Sequence, residues 1–319
     1  MKYIHKKLDI ATYIKSLYEE GLKKSDTLSD ATLENIILNI GIFKFKGYVK
    51  AFRGRLPQYK IDDVINLYNL DRAISLNMMS LTSQIEIKLK SIVIGIVYSL
   101  TENPFFYLLK ESYNDNFTIN NESIYDWEVK TSTRKAKSEI YLHYRDYYLV
   151  NYDFEENKKE YLAKKELIDL NSDLDINYPP FHYFVENMTL GVLIRMLSKL
   201  TIDGNSILKL VANHFSIYNP NVFLNYLLRL KELRNRCAHN GRIINRNYRG
   251  LKAIEKHKGF RKTIYEHKLI DVYYTLHFLL DNSEQFKTVE NLIDKFKEES
   301  LNGYDDNLKD FVISFMKTR

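Results

Sequence analysis

The segment from Asp62 to about Leu100 constrains the fold of this chain more than any other. Ile65, Leu67, Leu70, Ile74, Met78, Leu81, Ile85, Leu89 and Ile92 recur mostly at three- and four-residue steps, the spacing of one face of an α-helix. Asp62 and Asp63 fall in its first turn, where the positive end of the helix dipole favours carboxylates. A helix this long spans a domain, and its neighbours must pack along it. Only 5 Pro and 11 Gly interrupt the 319 residues, far too few for an all-β chain that needs a turn about every ten positions. The expected fold class is all-α.

Apolar periodicity predicts further helices on either side. Residues 1–25 carry Ile10, Tyr13, Ile14, Leu17 and Tyr18 on one face, with Gly21 as a stop. A second unit runs from a Ser29 or Asp30 cap to Gly41. Ile42–Tyr48 alternates apolar and basic residues, which admits a short extended piece, but period alone does not settle so few residues. Later helices are expected over Phe181–Asn187, over Leu190–Leu200 behind a Thr189 cap and ended by Asp203-Gly204, and over Ser206–Phe215. Another opens at Pro220-Asn221, with the stripe Val222, Tyr226, Leu227, Leu230, Leu233 and Cys237. Leu269–Leu280 is apolar enough for a buried core helix, and residues 283–319 hold one or two amphipathic helices. The polar stretch 111–176 reads as an insertion with helices over Asp126–Leu149 and Glu155–Leu170. The organisation expected is a helical domain over 1–282, with 283–319 a C-terminal extension of it.

A single Cys rules out a disulfide framework and a cysteine-rich zinc site, which fits a reducing cytoplasm. No cofactor or metal is called for. The N-terminus lacks an apolar signal core, and the longest apolar run, Ile92–Tyr98, is too short to span a bilayer. With 47 Lys+Arg against 41 Asp+Glu the net charge is +6, which permits a nucleic-acid partner without requiring one. The most basic stretch is Arg229 to Arg261, opposed only by Glu232 and Glu255.

Inside that stretch the helix through Leu230 and Leu233 runs into Arg234, Asn235, Arg236, Cys237, Ala238, His239, Asn240, Gly241 and Arg242. Arg234 lies four residues after Leu230 and three before Cys237, on the edge of the inward face, where a cation needs an anion. That anion is either a phosphate or a structural carboxylate such as Glu86 or Glu186. Glu86, beside Ile85 on the long helix, is either drawn inward onto a cation or solvated beside Lys88 and Lys90. Asn235 precedes His239 by four and is placed either to orient the imidazole or to bond locally to the backbone. Asn240-Gly241 is a helix end with Gly241 suited to the left-handed position. His239 then falls in the last turn, where the dipole favours the imidazolium and suits the ring to proton transfer. An Arg followed four to six residues on by His is expected by chance about once in this composition. A second such pair, Arg261 and His267, lacks the supporting context.

Four blocks lift the first pair above chance: Asn39–Tyr48, Tyr68–Arg72 followed by Gln84–Lys90, Phe184–Gly191, and the cluster continued through Ile244-Asn245-Arg246. In these the chain resembles the abortive-infection (Abi) D/F-type phage-resistance proteins, of the HEPN superfamily. Ile42-Phe43 stand where members often carry two tyrosines, and Lys44 where Arg is usual. The resemblance implies a multi-helix HEPN-type bundle with added N- and C-terminal helices. It also implies metal-independent RNA cleavage at a site shared by two facing motifs in a homodimer. Arg234, Asn235 and His239 would be the catalytic residues, and Glu86 would support them. Asn240, Arg236, Arg242 and Arg246 are placed to track RNA phosphates, a solvated basic face being the alternative for the arginines. A small non-coding RNA is a possible regulator, and an RNA-binding module without cleavage is the alternative function.

Overall fold

A computed structural model describes residues 9–52, 54–114, 118–119, 122–123, 180–244, 246–250, 267–280 and 284–300. The helices expected over 126–149 and 155–170, and the end of the chain past 300, lie outside these residues. The described chain is all-α apart from two antiparallel pairs of two-residue strands. It groups into two compact units. One holds the described residues up to Thr82, Glu232–Gly250, and those from His267 onward; the other holds those within Ser83–Lys231. Two helices contribute to both: α4 (Ile61–Tyr98) and α8 (Pro220–Ala238).

The first unit opens with α1 (Ile10–Glu19). The Asp9 carboxylate caps it by accepting from the amides of Ala11 and Thr12, both at 3.1 Å, and Tyr13, Ile14 and Leu17 are buried. Helix α2 (Asp30–Ile40) is capped by the Ser29 hydroxyl and buries Leu33, Ile37 and Ile40. Gly41, at φ 87°, then turns the chain directly into a third helix, α3 (Ile42–Val49). The segment whose alternation admitted an extended piece is therefore a helix. Its buried residues are Phe45, Tyr48 and Val49, a three-and-four step, while Phe43, which would share the face of Phe45 in a strand, stays exposed. In a run this short the apolar–basic alternation was coincidental, and burial at helical spacing set the conformation.

Helix α4 is 38 residues long, roughly 57 Å at 1.5 Å per residue. Its buried stripe follows the expected one in the middle but is displaced at both ends, where Val64, Val93 and Val97 are buried and Ile65 and Ile92 only half so. Three polar residues of this unit's part of the helix are buried, Asp71, Ser75 and Thr82, and Asp71 is the carboxylate among them. The unit is completed by α9 (Leu269–Leu279), buried nearly all round, and α10 (Glu284–Ser300), which buries Phe286, Val289 and Ile293. The Tyr273 hydroxyl links the two, donating to Glu290 Oε1 at 3.2 Å.

In the second unit, α5 (Phe181–Asn187) sits in an aromatic cluster. Tyr107 stacks on Phe184 at 4.6 Å, and Phe106 meets Phe181 edge-on at 4.9 Å. Thr189 caps α6 through its hydroxyl as expected, but α6 spans Leu190–Leu197 and stops short of Leu200. The next residues form a hairpin of β3 (Thr201–Ile202) and β4 (Asn205–Ser206). The other strand pair, β1 (Thr118–Ile119) and β2 (Glu122–Ser123), lies earlier in the chain. Asp203 and Gly204 both take positive φ, 49° and 78°, as a two-residue hairpin turn requires. Ser206 caps α7 (Ile207–His214). Among the described residues no helix is long and apolar enough to cross a membrane.

Candidate functional site

Helix α8 buries Val222, Tyr226, Leu227, Leu230, Leu233 and Cys237, as its stripe predicts. Burial also pushes the Cys237 thiol upward, as expected of an inert packing residue. The turn that follows carries the candidate residues. The Gly241 amide donates to Arg236 O at 2.7 Å and the Asn240 amide to Cys237 O at 3.1 Å, and Asn240 is left-handed at φ 52°. This is a Schellman closure, with one difference from expectation. The left-handed residue is Asn240, while Gly241 occupies the next position, where an added Cβ would lie 3.2 Å from Arg236 O.

His239 is the residue just before the left-handed one. Its amide donates to Asn235 O at 3.0 Å and its side chain is exposed. No side-chain hydrogen bond joins it to Asn235, so the orienting role expected of that amide is not seen; the two meet through the backbone. Arg234 is half-buried on the edge of the packed face, where its spacing put it.

The chain after the turn is fastened to α4 and α3. Asp71 Oδ1 accepts from the amides of Ile243 at 3.0 Å and Ile244 at 2.7 Å, and its Oδ2 accepts from the Tyr48 hydroxyl at 2.7 Å. Burial pushes the Asp71 carboxyl above its ordinary value, and the three donors pull it back only in part. The neighbouring side chain on α4, Arg72, donates from Nη2 to Asn240 Oδ1 at 2.9 Å. Arg242 donates to the carbonyl of Gly47 on α3 and lies over the Tyr48 ring at 5.8 Å, with its own pKa lowered chiefly by burial.

A second clasp holds the far end of the same strap. Arg236 Nη2 meets Glu232 Oε1 at 2.9 Å, and its guanidinium sits 5.0 Å from the Tyr248 ring. Glu232 Oε2 accepts from the Arg249 amide at 3.1 Å, and the Tyr248 hydroxyl donates to Ile243 O at 2.9 Å. His267 bonds the Tyr248 carbonyl through Nδ1 at 3.1 Å. Of the four residues placed to track phosphates, Arg236, Asn240 and Arg242 each hold the protein's own strap, and Arg246 is exposed.

Glu86 belongs to the second unit. It is largely buried, 3.6 Å from Lys90 Nζ, and Lys90 also donates to Glu186 O at 2.8 Å. Of the two readings left open for Glu86, inward or solvated, the structure shows the inward one, with Lys90 as its cation. Among the described residues no group of three or more His, Cys, Asp or Glu is placed to hold a metal ion.

Sequence reasoning passed over Asp71, Arg72, Tyr48 and Glu232 as site residues. The first had a readable signal: an Asp one position after Leu70 and three before Ile74 sits within an apolar stripe, where a carboxylate needs donors. The partners themselves gave none, because Asp71 and Ile243 lie 172 residues apart.

The family described as Abi-like protein matches residues 35–245, from within α2 to the strap just past the Asp71 clamp. No curated protein matches the chain, and no solved structure does. The matched span takes in α3, the Asp71-Arg72 pair and the Arg234–His239 turn, so the contacts described above join parts of one matched segment. Covering well over half of the sequence, it shows that the chain belongs to the Abi-like protein family of abortive-infection proteins.

Proposed function

We propose that the protein acts in abortive-infection defence as a metal-independent RNA endonuclease, with the end of α8 as half of its active site. The observation that carries this reading is the pairing, on one fastened turn, of an exposed imidazole at His239 with a half-buried guanidinium at Arg234. In the reaction, a ribose 2′-hydroxyl loses its proton to a base and its oxygen attacks the adjacent phosphorus. The P–O5′ bond breaks, and the departing oxygen takes up a proton. The products are a 2′,3′-cyclic phosphate and a 5′-hydroxyl. His239 is suited to either proton transfer, and Arg234 to the charge that builds on the phosphorane oxygens.

One chain supplies one such histidine on this turn. Five residues of helix also separate Arg234 from His239 by about 7.5 Å of rise and roughly 140° of rotation, so the two side chains do not converge on one point. A two-fold pair of chains would offer each group twice and supply both acid and base, which makes the proposed working form a homodimer. Of Arg236, Arg242 and Arg246, Arg246 is the exposed one, suited to draw RNA toward the turn.

The test uses a short oligoribonucleotide that the purified protein cuts in the presence of EDTA. A single 2′-deoxy substitution at the cleaved position should abolish the cut there, because the nucleophile is gone. Continued cutting at that position would refute the chemistry. Tight binding of intact RNA without any cleavage would instead identify an RNA-binding module.

A further inference from the structure

Asn240 is a surprising residue for its position. Glycine is favoured at the left-handed end of a helix because it has no Cβ to strain, and a glycine stands one place further on, at 241. What asparagine adds is a carbonyl oxygen, and that oxygen receives Nη2 of Arg72 at 2.9 Å. Arg72 is half-buried on α4, next to Asp71, which clamps Ile243 and Ile244. Two consecutive α4 side chains therefore grip the same turn on either side of Gly241. His239 has its amide bonded on one side, to Asn235 O, and the Arg72-held residue on the other. Its side chain, by contrast, makes no hydrogen bond among the described residues, so what the fold fixes is the Cα–Cβ direction from which the ring projects.

We infer that Arg72 and Asn240 form a positioning pair for His239: the guanidinium holds the left-handed residue against α4 and thereby fixes where the imidazole points. This deepens the proposed nuclease reading and rests on it for the activity readout. It also reassigns Asn240 from RNA contact to support. A histidine displaced by about 1 Å loses on the order of 100-fold in rate, whereas substrate held elsewhere binds as before.

The experiment compares Asn240→Gly, Arg72→Ala and the double variant in the full chain. Asn240→Gly keeps the left-handed backbone and removes the side chain that carries the accepting carbonyl, so it should fold about as well as wild type. Each single variant should lose about 10- to 100-fold in kcat with KM little changed. The double variant should lose no more than the worse single, because both break one contact. The His239 backbone amide and Cβ signals in NMR should shift in Arg72→Ala, a substitution remote from it in sequence. Full kcat in Asn240→Gly, multiplying losses, or a rise in KM alone would overturn the pairing, the last by marking Asn240 as an RNA contact. If wild type itself cuts no RNA, the nuclease reading fails and the NMR signal still decides. Unchanged His239 backbone signals in Arg72→Ala refute the positioning role, and displaced ones support it.

Discussion

Replacing Asp71 should cost more stability than any other single polar change in the first unit. The side chain is fully buried and accepts from three donors: the Tyr48 hydroxyl and the amides of Ile243 and Ile244. Asp71→Ala leaves all three buried without an acceptor, at about 1–3 kcal/mol each. Removing a carboxylate that burial disfavours returns part of this, as does water entering the space left behind. The net loss should be about 3–4 kcal/mol, a large share of the roughly 5–15 kcal/mol that holds a typical protein folded. Asp71→Asn keeps one carbonyl for the two amides, and the Tyr48 hydroxyl can turn to accept from the new NH2, so its cost should be about 1 kcal/mol.

The assay is amide hydrogen exchange at Ile243 and Ile244, read beside urea unfolding. In Asp71→Ala these two amides should exchange at least about 100-fold faster than in wild type, and in Asp71→Asn about 5-fold. The folded carboxyl has a raised pKa, so wild type holds its greatest advantage over Asp71→Asn below the ordinary value of 3.8. It loses that advantage as the pH climbs through the folded value. Equal exchange in Asp71→Ala and wild type, or equal losses for the Ala and Asn variants, would refute the clamp.

The strap arginines should separate by role. Arg246→Ala should weaken RNA binding and reduce the salt dependence by about one charge, while leaving stability within about 0.5 kcal/mol. Arg236→Ala and Arg242→Ala should instead lower the urea midpoint, by about 1 kcal/mol each, since each gives up contacts to the strap itself. Gly241→Ala should cost about 1 kcal/mol in thermal unfolding, because its Cβ meets Arg236 O at 3.2 Å and forces the helix closure open. Gly204→Ala, at φ 78° in the hairpin turn, should cost a similar amount, about 1 kcal/mol, with no effect on RNA cleavage.

Much of the helical frame was legible because helices write themselves locally. Ser29 and Thr189 announced their caps, and the stripes of α4 and α8 carried their own period. The α3 segment stayed open because a few residues of alternating character fit two periods, and only the packing of Phe45 and Tyr48 distinguishes them. The hairpin at Thr201–Ser206 was missed although Asp203-Gly204 is a turn signature, since its strands are two residues each and show no alternation. At the site, the order of Arg234 and His239 on the helix was readable, and so was the basic surround. Which of those arginines face solvent was not. Arg236 and Arg242 have partners chosen by tertiary structure, one on Glu232 and the strap, the other on a carbonyl 195 residues away.

The central claim, that the α8 turn cleaves RNA through His239 without a metal, has a direct measurement. Purified wild-type protein and His239→Ala, matched for fold by circular dichroism and for oligomeric state by sedimentation, are incubated with RNA in excess EDTA, and the product ends are analysed. Wild type should release 2′,3′-cyclic phosphate and 5′-hydroxyl ends, and His239→Ala should release none above background. Cleavage by His239→Ala at the wild-type rate, or wild-type cleavage that appears only when a divalent metal is restored, would contradict it.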